Sequence, residues 1–343
     1  MNRFAWTGAE TISEAAAAAS TTVADAMTSR SDIASGRETS IVKAGGIDLL
    51  DLLKEDLLAP TRLVSLRDIA GLATVAEQAG GLQIGSMVTL ASLATHPLVR
   101  RRYPALADAL QDSASPQIRN VATLGGNLLQ RPRCWYFRAA EYHCLRKGGG
   151  HCFAVSGENQ YHAIFDNQSC AIVHPSTAAT VLVALGATLE LVNSERATRT
   201  ILLEDFLVSP DLDLQRENNL KPQEILTAIL LPAPPASLRM AHLKQGEKDS
   251  FDWPLADVAA VLDLNGDGSC KSAAIILGAA APVPHRAKAA ENVLIARHVD
   301  EAVAGEAARA ALAGATPLSK NAYKLPLFEA LVRRAILKAT IRQ

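Results

Sequence analysis

Residues 115–128 read Ser115-Pro116-Gln117-Ile118-Arg119-Asn120-Val121-Ala122-Thr123-Leu124-Gly125-Gly126-Asn127-Leu128, combining side-chain hydrogen-bond donors with a glycine pair that lets backbone approach a ligand closely. A second pair stands upstream in Val42-Lys43-Ala44-Gly45-Gly46-Ile47-Asp48-Leu49-Leu50, between a predicted strand over 40–44 and a predicted helix over 48–54. At such a junction backbone N–H groups converge and can cradle a diphosphate. A Gly-Gly at a strand-to-helix turn is also common as a plain tight turn, so neither segment decides alone. Two of them suit the two halves of a dinucleotide. The chain has no G-x-G-x-x-G and no Walker sequence, which disfavours a nicotinamide-type Rossmann site and a P-loop.

Working outward, an alanine-rich amphipathic run from Thr11 to Met27 predicts a helix ahead of the first glycine pair. Short apolar runs at 63–66 and 82–85 predict strands, and Pro104 to Leu110 a helix. A helix over 176–185, a strand over 187–192, strands near 256–264 and 272–277 and alanine-rich C-terminal helices complete the pattern. Pro232, Pro234 and Pro235 mark a boundary near 235. The mixture of elements is α+β.

Residues 131–170 break the pattern. They hold four of the five cysteines (Cys134, Cys144, Cys152 and Cys170), three histidines and Gly148-Gly149-Gly150, with little apolar periodicity. Such a loop-rich insertion is organised around something other than a hydrophobic core, and a metal is the usual substitute. The spacing Cys-x9-Cys-x7-Cys-x17-Cys is neither the paired C-x-x-C of most zinc sites nor that of bacterial ferredoxins, so structural zinc and a [4Fe–4S] cube both stay open. Trp135, Tyr136 and Phe137 beside Cys134 suit shielding of a cluster, a partner contact or local packing, and Cys270 is assigned no role.

With 34 basic and 35 acidic residues among 343, the balance points neither to nucleic acid nor to an anionic membrane surface. No apolar stretch reaches the roughly 18 to 20 residues that span a bilayer. Glu10 and Glu14 interrupt the stretch that would have to serve as an export signal, so the cytoplasm is the default location; a signal-bearing partner subunit would place a folded complex in the periplasm.

Gly45-Gly46-x-Asp48-Leu49, Ile84-Gly85-x3-Thr89 and above all Ile118-Arg119-Asn120-x2-Thr123-x-Gly125-Gly126-Asn127 resemble the FAD-binding subunit of the xanthine dehydrogenase and carbon monoxide dehydrogenase family of molybdenum hydroxylases, over nearly the whole chain. The resemblance implies a two-subdomain FAD-binding fold, with a small α/β part at 1–60 and a larger α+β part at 61–234, then a C-terminal α+β domain at 235–343. It implies that FAD is held by Val42, Lys43, Ala44, Gly45, Gly46, Ile47, Asp48 and Leu49 in the first loop and by Gln117, Arg119, Asn120, Thr123, Gly125, Gly126 and Asn127 in the second. Lys244 matches the family's flavin-proximal lysine by position only.

Two departures stand out. Ile47 replaces a threonine or small polar residue, and His174-Pro175-Ser176-Thr177 replaces His-Pro-Ser-Asp, removing an acidic contact to the flavin region or a helix cap. The cysteine insertion resembles that of the aldehyde oxidoreductase members, which implies a [4Fe–4S] cluster on Cys134, Cys144, Cys152 and Cys170 and makes His143, His151 and His162 surface or supporting residues. The implied activity is electron transfer from a molybdopterin-binding large subunit and a [2Fe–2S] small subunit to an external acceptor, with no side chain acting as general acid or base. A self-contained FAD oxidase and a zinc-stabilised scaffold are the alternatives.

Overall fold

The first glycine pair closes strand β2 (Ser40–Lys43) and opens the helix Ile47–Lys54, the crossover of a parallel βαβ unit whose second strand is β3 (Arg62–Ser65). β1 (Ala5–Gly8) pairs with β3 on the other side, giving the order β1-β3-β2. The computed structural model describes residues 2–28 and 38–341, in two compact units.

The first unit comprises residues 1–90, 117–153 and 188–231. Besides the parallel sheet it holds a five-stranded antiparallel sheet of β4 (Val75–Gln78), β5 (Gly81–Gly85), β6 (Thr188–Asn193), β7 (Thr198–Leu202) and β8 (Glu224–Leu231), in the order β4-β5-β8-β6-β7. The helix Ile47–Lys54 buries Leu49, Leu52 and Leu53 against Ile41 and Leu63, the i, i+3, i+4 stripe its sequence carries. Phe137 and Cys144 from the cysteine-rich insertion pack into this same core, so the insertion is anchored by apolar contact as well as by polar bonds.

The helix expected over 11–27 is two helices, Ile12–Ala18 and Val23–Thr28. The first starts on a capping box between Thr11 and Glu14. The break falls at Ser20-Thr21-Thr22, where the Thr22 hydroxyl accepts the Asp25 N–H and begins a new turn. Hydroxyl side chains offer the backbone such an alternative, and here it outcompetes the alanine propensity.

The second unit comprises residues 91–116, 154–187 and 232–343. Strands β9 (Leu238–Gln245), β10 (Ala256–Leu264), β11 (Cys270–Gly278) and β12 (His285–Arg286) form an antiparallel sheet in the order β12-β11-β10-β9. The helices Lys288–Leu294, Glu301–Ala310 and Lys324–Thr340 contribute Leu294, Ala304, Phe328, Val332 and Ile336 to its core. β10 is buried along nearly its whole length, and it carries a polar chain within that core: the Thr180 hydroxyl donates to Asp257 (2.8 Å), whose other oxygen meets His242 Nε2 (2.5 Å).

Candidate functional site

The two glycine segments meet. A Cβ at Gly45 would collide with the carbonyl oxygen of Val121 and approach the Ala122 Cα to 3.3 Å, so only glycine lets β2 end against the second loop. Gly126 faces the same way, with Ala44 Cβ at 3.8 Å from its absent Cβ. Gly125 lies against Ser86, whose Cβ would be 2.8 Å from an alanine side chain there, and the Gly125 N–H donates to the Ser86 carbonyl (2.8 Å). Residues 44–46, 86 and 121–126 thus form one continuous backbone-lined patch within the first unit.

Gly46 adopts a left-handed conformation (φ 91°) at the N-cap of the helix Ile47–Lys54 and offers no side-chain cap to the first-turn amides. Lys43 folds over it: a Cβ at Gly46 would lie 2.8 Å from Lys43 Cε, while the ammonium donates to the Ala44 carbonyl (3.2 Å) and stands 5.3 Å from the centre of the Trp6 ring. Partial burial, then repulsion from Arg67, lowers the Lys43 pKa. Uncapped amides with a cation crowded beside them form a ready acceptor for a phosphate group.

In the second segment the short helix Pro116–Arg119 leaves Gln117 exposed and Arg119 half-buried, and Asn120 after it is exposed. Thr123 caps the helix Leu124–Leu128, its hydroxyl accepting the Gly126 N–H (3.2 Å) and keeping its proton for a further acceptor such as a ligand oxygen. Ser86 is buried and its hydroxyl has no hydrogen-bond partner, a donor that nothing in the sequence singled out.

Asp48 turns its carboxylate toward the insertion. It accepts the Arg131 N–H (2.9 Å) and pairs with Arg138 (2.6 Å) and Arg133 (2.9 Å), while Asp51 one turn on pairs with both arginines at 3.0 and 3.2 Å. Its backbone N–H is what it can offer a cofactor. Beyond this cluster, Arg131 and Arg146 share one oxygen of Glu217 (2.9 and 2.6 Å), all three being buried. The arginines around Cys134 were visible in the sequence; that the acid pair Asp48 and Asp51 would face them was signalled only by their i, i+3 spacing.

Cys134, Cys144 and Cys152 lie in the first unit and Cys170 in the second. Cys134 is the N-cap of the helix Trp135–Arg138. Burial pushes its thiol up to about 12, against hydrogen bonds from the Phe137 and Tyr136 amides that favour the thiolate, and Cys144 and Cys152 are near enough to raise it further by repulsion. Among the described residues no three His, Cys, Asp or Glu side chains are grouped so as to hold a single metal ion. Phe137 is core, whereas Tyr136 stacks on Phe153 (5.9 Å between centres) and meets Tyr142 edge-on (5.0 Å).

His162 is not at the surface: it is buried, and desolvation followed by repulsion from Lys324 lowers its pKa to about 4. Lys244 lies on β9 in the second unit, its ammonium donating to the Asp112 carbonyl (2.8 Å). In the His174 to Thr177 segment the cap of the helix Thr177–Ala184 is Ser176, which accepts the Ala179 N–H, so Thr177 replaces no cap. Cys270 is buried at the start of β11, its thiol donating to the Ser272 carbonyl. Among the described residues no helix is long and apolar enough to cross a membrane.

Residues 2–234 match the model of the FAD binding domain in molybdopterin dehydrogenase, and residues 241–339 that of the CO dehydrogenase flavoprotein C-terminal domain. The chain is 34% identical over 300 residues, 86% of its length, to the aldehyde oxidoreductase FAD-binding subunit PaoB of Escherichia coli, of which the match covers 90%. It is 28% identical over 303 residues to the carbon monoxide dehydrogenase medium chain of Afipia carboxidovorans, covering 87% of this chain and 88% of that one. Its fold superposes on a chain of quinoline 2-oxidoreductase from Pseudomonas putida 86 with a TM-score of 0.72 and 26% identity, over 99% of this chain and 97% of the other.

Proposed function

Since this chain belongs to the FAD-binding subunits of the molybdenum hydroxylases, the family of the xanthine and carbon monoxide dehydrogenase medium chains, we propose that it is the electron-transfer flavoprotein component of such an enzyme, bearing a [4Fe–4S] cluster beside its FAD. The observation that carries the reading is the collision course between Gly45 and Val121, which makes one glycine-lined patch of two segments far apart in sequence. In this reading the amides of 45–49 and the cation of Lys43 hold the diphosphate, and the 117–127 segment grips the remainder of the dinucleotide with Arg119, Asn120 and the Asn127 amide. Lys244 is assigned to the flavin by its position in the family resemblance alone. The three-part division at 60 and 234 goes with it, supported at its second boundary by the two family models.

FAD suits the role because flavin exchanges electrons singly or in pairs, with potential set by the hydrogen bonds and charge around it. This chain's residues bind and orient, and none is needed as a general acid or base. Asp48 supports the assignment: its carboxylate is neutralised by Arg133 and Arg138, so it does not repel an anion at the helix start.

The cluster is supported by the donor set. The Tyr136 and Phe137 amides already point at the Cys134 sulfur, the usual environment of a sulfur carrying charge, and Cys144 and Cys152 share its electrostatic neighbourhood. A cube takes one thiolate per iron, so its ligands need not crowd around a single point as zinc ligands do. Cys170 is proposed as the fourth thiolate on the resemblance of the cysteine insertion alone. The partners are then a molybdopterin-binding large subunit and a [2Fe–2S] small subunit, consistent with relatives whose names call them subunits or medium chains.

An anaerobic absorbance spectrum with iron, sulfide, zinc and released flavin measured on the same sample tests the reading. Flavin bands over broad cluster absorption, with about four iron and four sulfide per chain, are expected. A flavin-free, zinc-loaded chain that takes up neither FAD nor iron and sulfide would overturn it.

A further inference from the structure

We propose that Trp6, on β1, is a positioning residue of the flavin site: the face of its ring holds the Lys43 ammonium beside the glycine loop, ready for the FAD diphosphate. The inference rests on the reading of Lys43 as a diphosphate ligand given above. The register of the parallel sheet puts the two side chains on one face. Trp6 pairs with Leu63 and Lys43 with Ser65, and residues 63 and 65 of β3 point the same way. Ile41, which like Trp6 is paired with Leu63, packs on that face under the helix Ile47–Lys54. Lys43 therefore leaves the sheet on the helix side. Its stem crosses Gly46, where an added Cβ would stand 2.8 Å from Lys43 Cε, 3.3 Å from its Nζ and 3.5 Å from Leu50 Cδ1. The ammonium ends 5.3 Å from the centre of the Trp6 ring.

Apolar burial does not explain this tryptophan, which stays 56% exposed beside the fully buried Leu63 of the next strand. Nor does a carboxylate explain the placement of the lysine. Among the described residues its ammonium makes one hydrogen bond, to the Ala44 carbonyl (3.2 Å), and the charged side chain that bears on it is Arg67, which repels it. Partial desolvation and that repulsion both work against a charged amine, whereas the negative face of the indole works for it. A cation compensated by an aromatic face and one carbonyl keeps most of its charge for an incoming anion; a cation paired with a carboxylate would first have to give up that pair. The ring also confines a flexible four-carbon stem to the neighbourhood of the uncapped amides at the start of the helix Ile47–Lys54, so less freedom is lost when phosphate arrives.

The experiment uses the full chain stripped of flavin, as wild type, Trp6→Leu, Trp6→Phe, Lys43→Met and the double variant Trp6→Leu/Lys43→Met. It reads the FAD dissociation constant at low ionic strength from flavin fluorescence. An ammonium on an aromatic face at a partly exposed position corresponds to about two- to fivefold in affinity. We expect Trp6→Leu to weaken FAD by that factor and Trp6→Phe, which keeps a ring with a weaker face, by less, while Lys43→Met costs about tenfold or more. Once Lys43 is methionine, Trp6→Leu should have no further effect, because the tryptophan acts through the lysine. An equal loss in both backgrounds, or no loss from Trp6→Leu while Lys43→Met binds weakly, would overturn the inference. If Trp6→Leu gives no soluble chain, replacement of tryptophan by fluorinated tryptophan decides, since fluorine drains the ring face and keeps its shape. FAD should then weaken in the otherwise wild-type chain and not in Lys43→Met, which also controls for Trp135 and Trp253; an equal effect in both would overturn the inference. A Lys43→Met chain that binds FAD like the wild type would instead strike the reading of Lys43 and take this inference with it.

Discussion

The carboxylate of Asp48 accepts a hydrogen bond from the Arg138 guanidinium at 2.6 Å, joining the residue two positions after Gly46 to one four positions after Cys134. The first glycine loop and the cysteine insertion are therefore mechanically one piece at this point. Both side chains are mostly buried, so removing the charge of Asp48 leaves Arg133 and Arg138 with the half-exposed Asp51 as their remaining acidic partner. Asp48→Asn is expected to cost about 1–3 kcal/mol and to lower flavin and iron content together. Denaturant unfolding with cofactor analysis checks it; loss of one cofactor alone would show that the two sites are independent.

Gly45 and Gly126 give an ordered pair of tests. Gly45→Ala drives a methyl group into the Val121 carbonyl, which is backbone and cannot rotate away, whereas at Gly126 the nearest atoms are the Thr123 hydroxyl at 3.1 Å and Ala44 Cβ at 3.8 Å. Gly45→Ala should therefore lose FAD affinity by at least tenfold, and Gly126→Ala by less. Flavin fluorescence on titrating the stripped chain with FAD measures both, and the reverse order would mean that the second loop, not the junction, limits binding.

The unpartnered hydroxyl of Ser86 is a cost to the flavin-free chain. Ser86→Ala should leave its melting midpoint unchanged or raise its stability by up to ~1 kcal/mol, since the hydroxyl is desolvated with no bond in return. Both backbone bonds of Ser86, to Thr227 and Gly125, are kept. A clear drop in scanning calorimetry would show that the hydroxyl is satisfied in solution.

His174 makes the fold acid-sensitive. Burial lowers its pKa from 6.5 to about 4, and the Ser176 N–H donates to its Nδ1 (3.3 Å). Between those pH values the unfolded chain holds the extra proton, so stability rises with pH; the contribution is complete above 6.5 and is lost as pH falls toward 4. That fall in pKa corresponds to ~3 kcal/mol. His174→Gln should flatten the stability profile over this window by about that amount, with the slope due to His162 remaining. An unchanged profile from urea unfolding at pH 4 to 7 would refute it.

The glycine pairs were legible as glycines: the left-handed turn at Gly46 is a local requirement, whereas the close approach of Gly45 to Val121 is made across the chain and only the structure names that partner. The helix over 48–54 was readable from its leucine stripe, and the last strands from their apolar runs. What could not be read were partners chosen across long separations. Asp48 was assigned to the cofactor; its i, i+3 spacing with Asp51 marks an acidic pair, but does not name Arg133 and Arg138, far along the chain, as the charges it faces. The same holds for Lys324, whose acceptors lie 45 and 162 residues away and are carbonyls, which every residue possesses. Within 11–27 the alanine content predicts one helix, whereas the hydroxyl run at Ser20-Thr21-Thr22 divides it into two.

Arg131 and Arg146 find Glu217 only 86 and 71 residues later in the chain. On a ribosome, the segment bearing Cys134, Cys144 and Cys152 emerges long before the acid that ties it down. Two unneutralised guanidiniums do not settle into an apolar interior by themselves, so Arg131 and Arg146 are expected to stay hydrated until Glu217 has joined them. On the cluster reading proposed above, a chain truncated before residue 217 should be incompetent to take up iron and sulfide, however intact its cysteines.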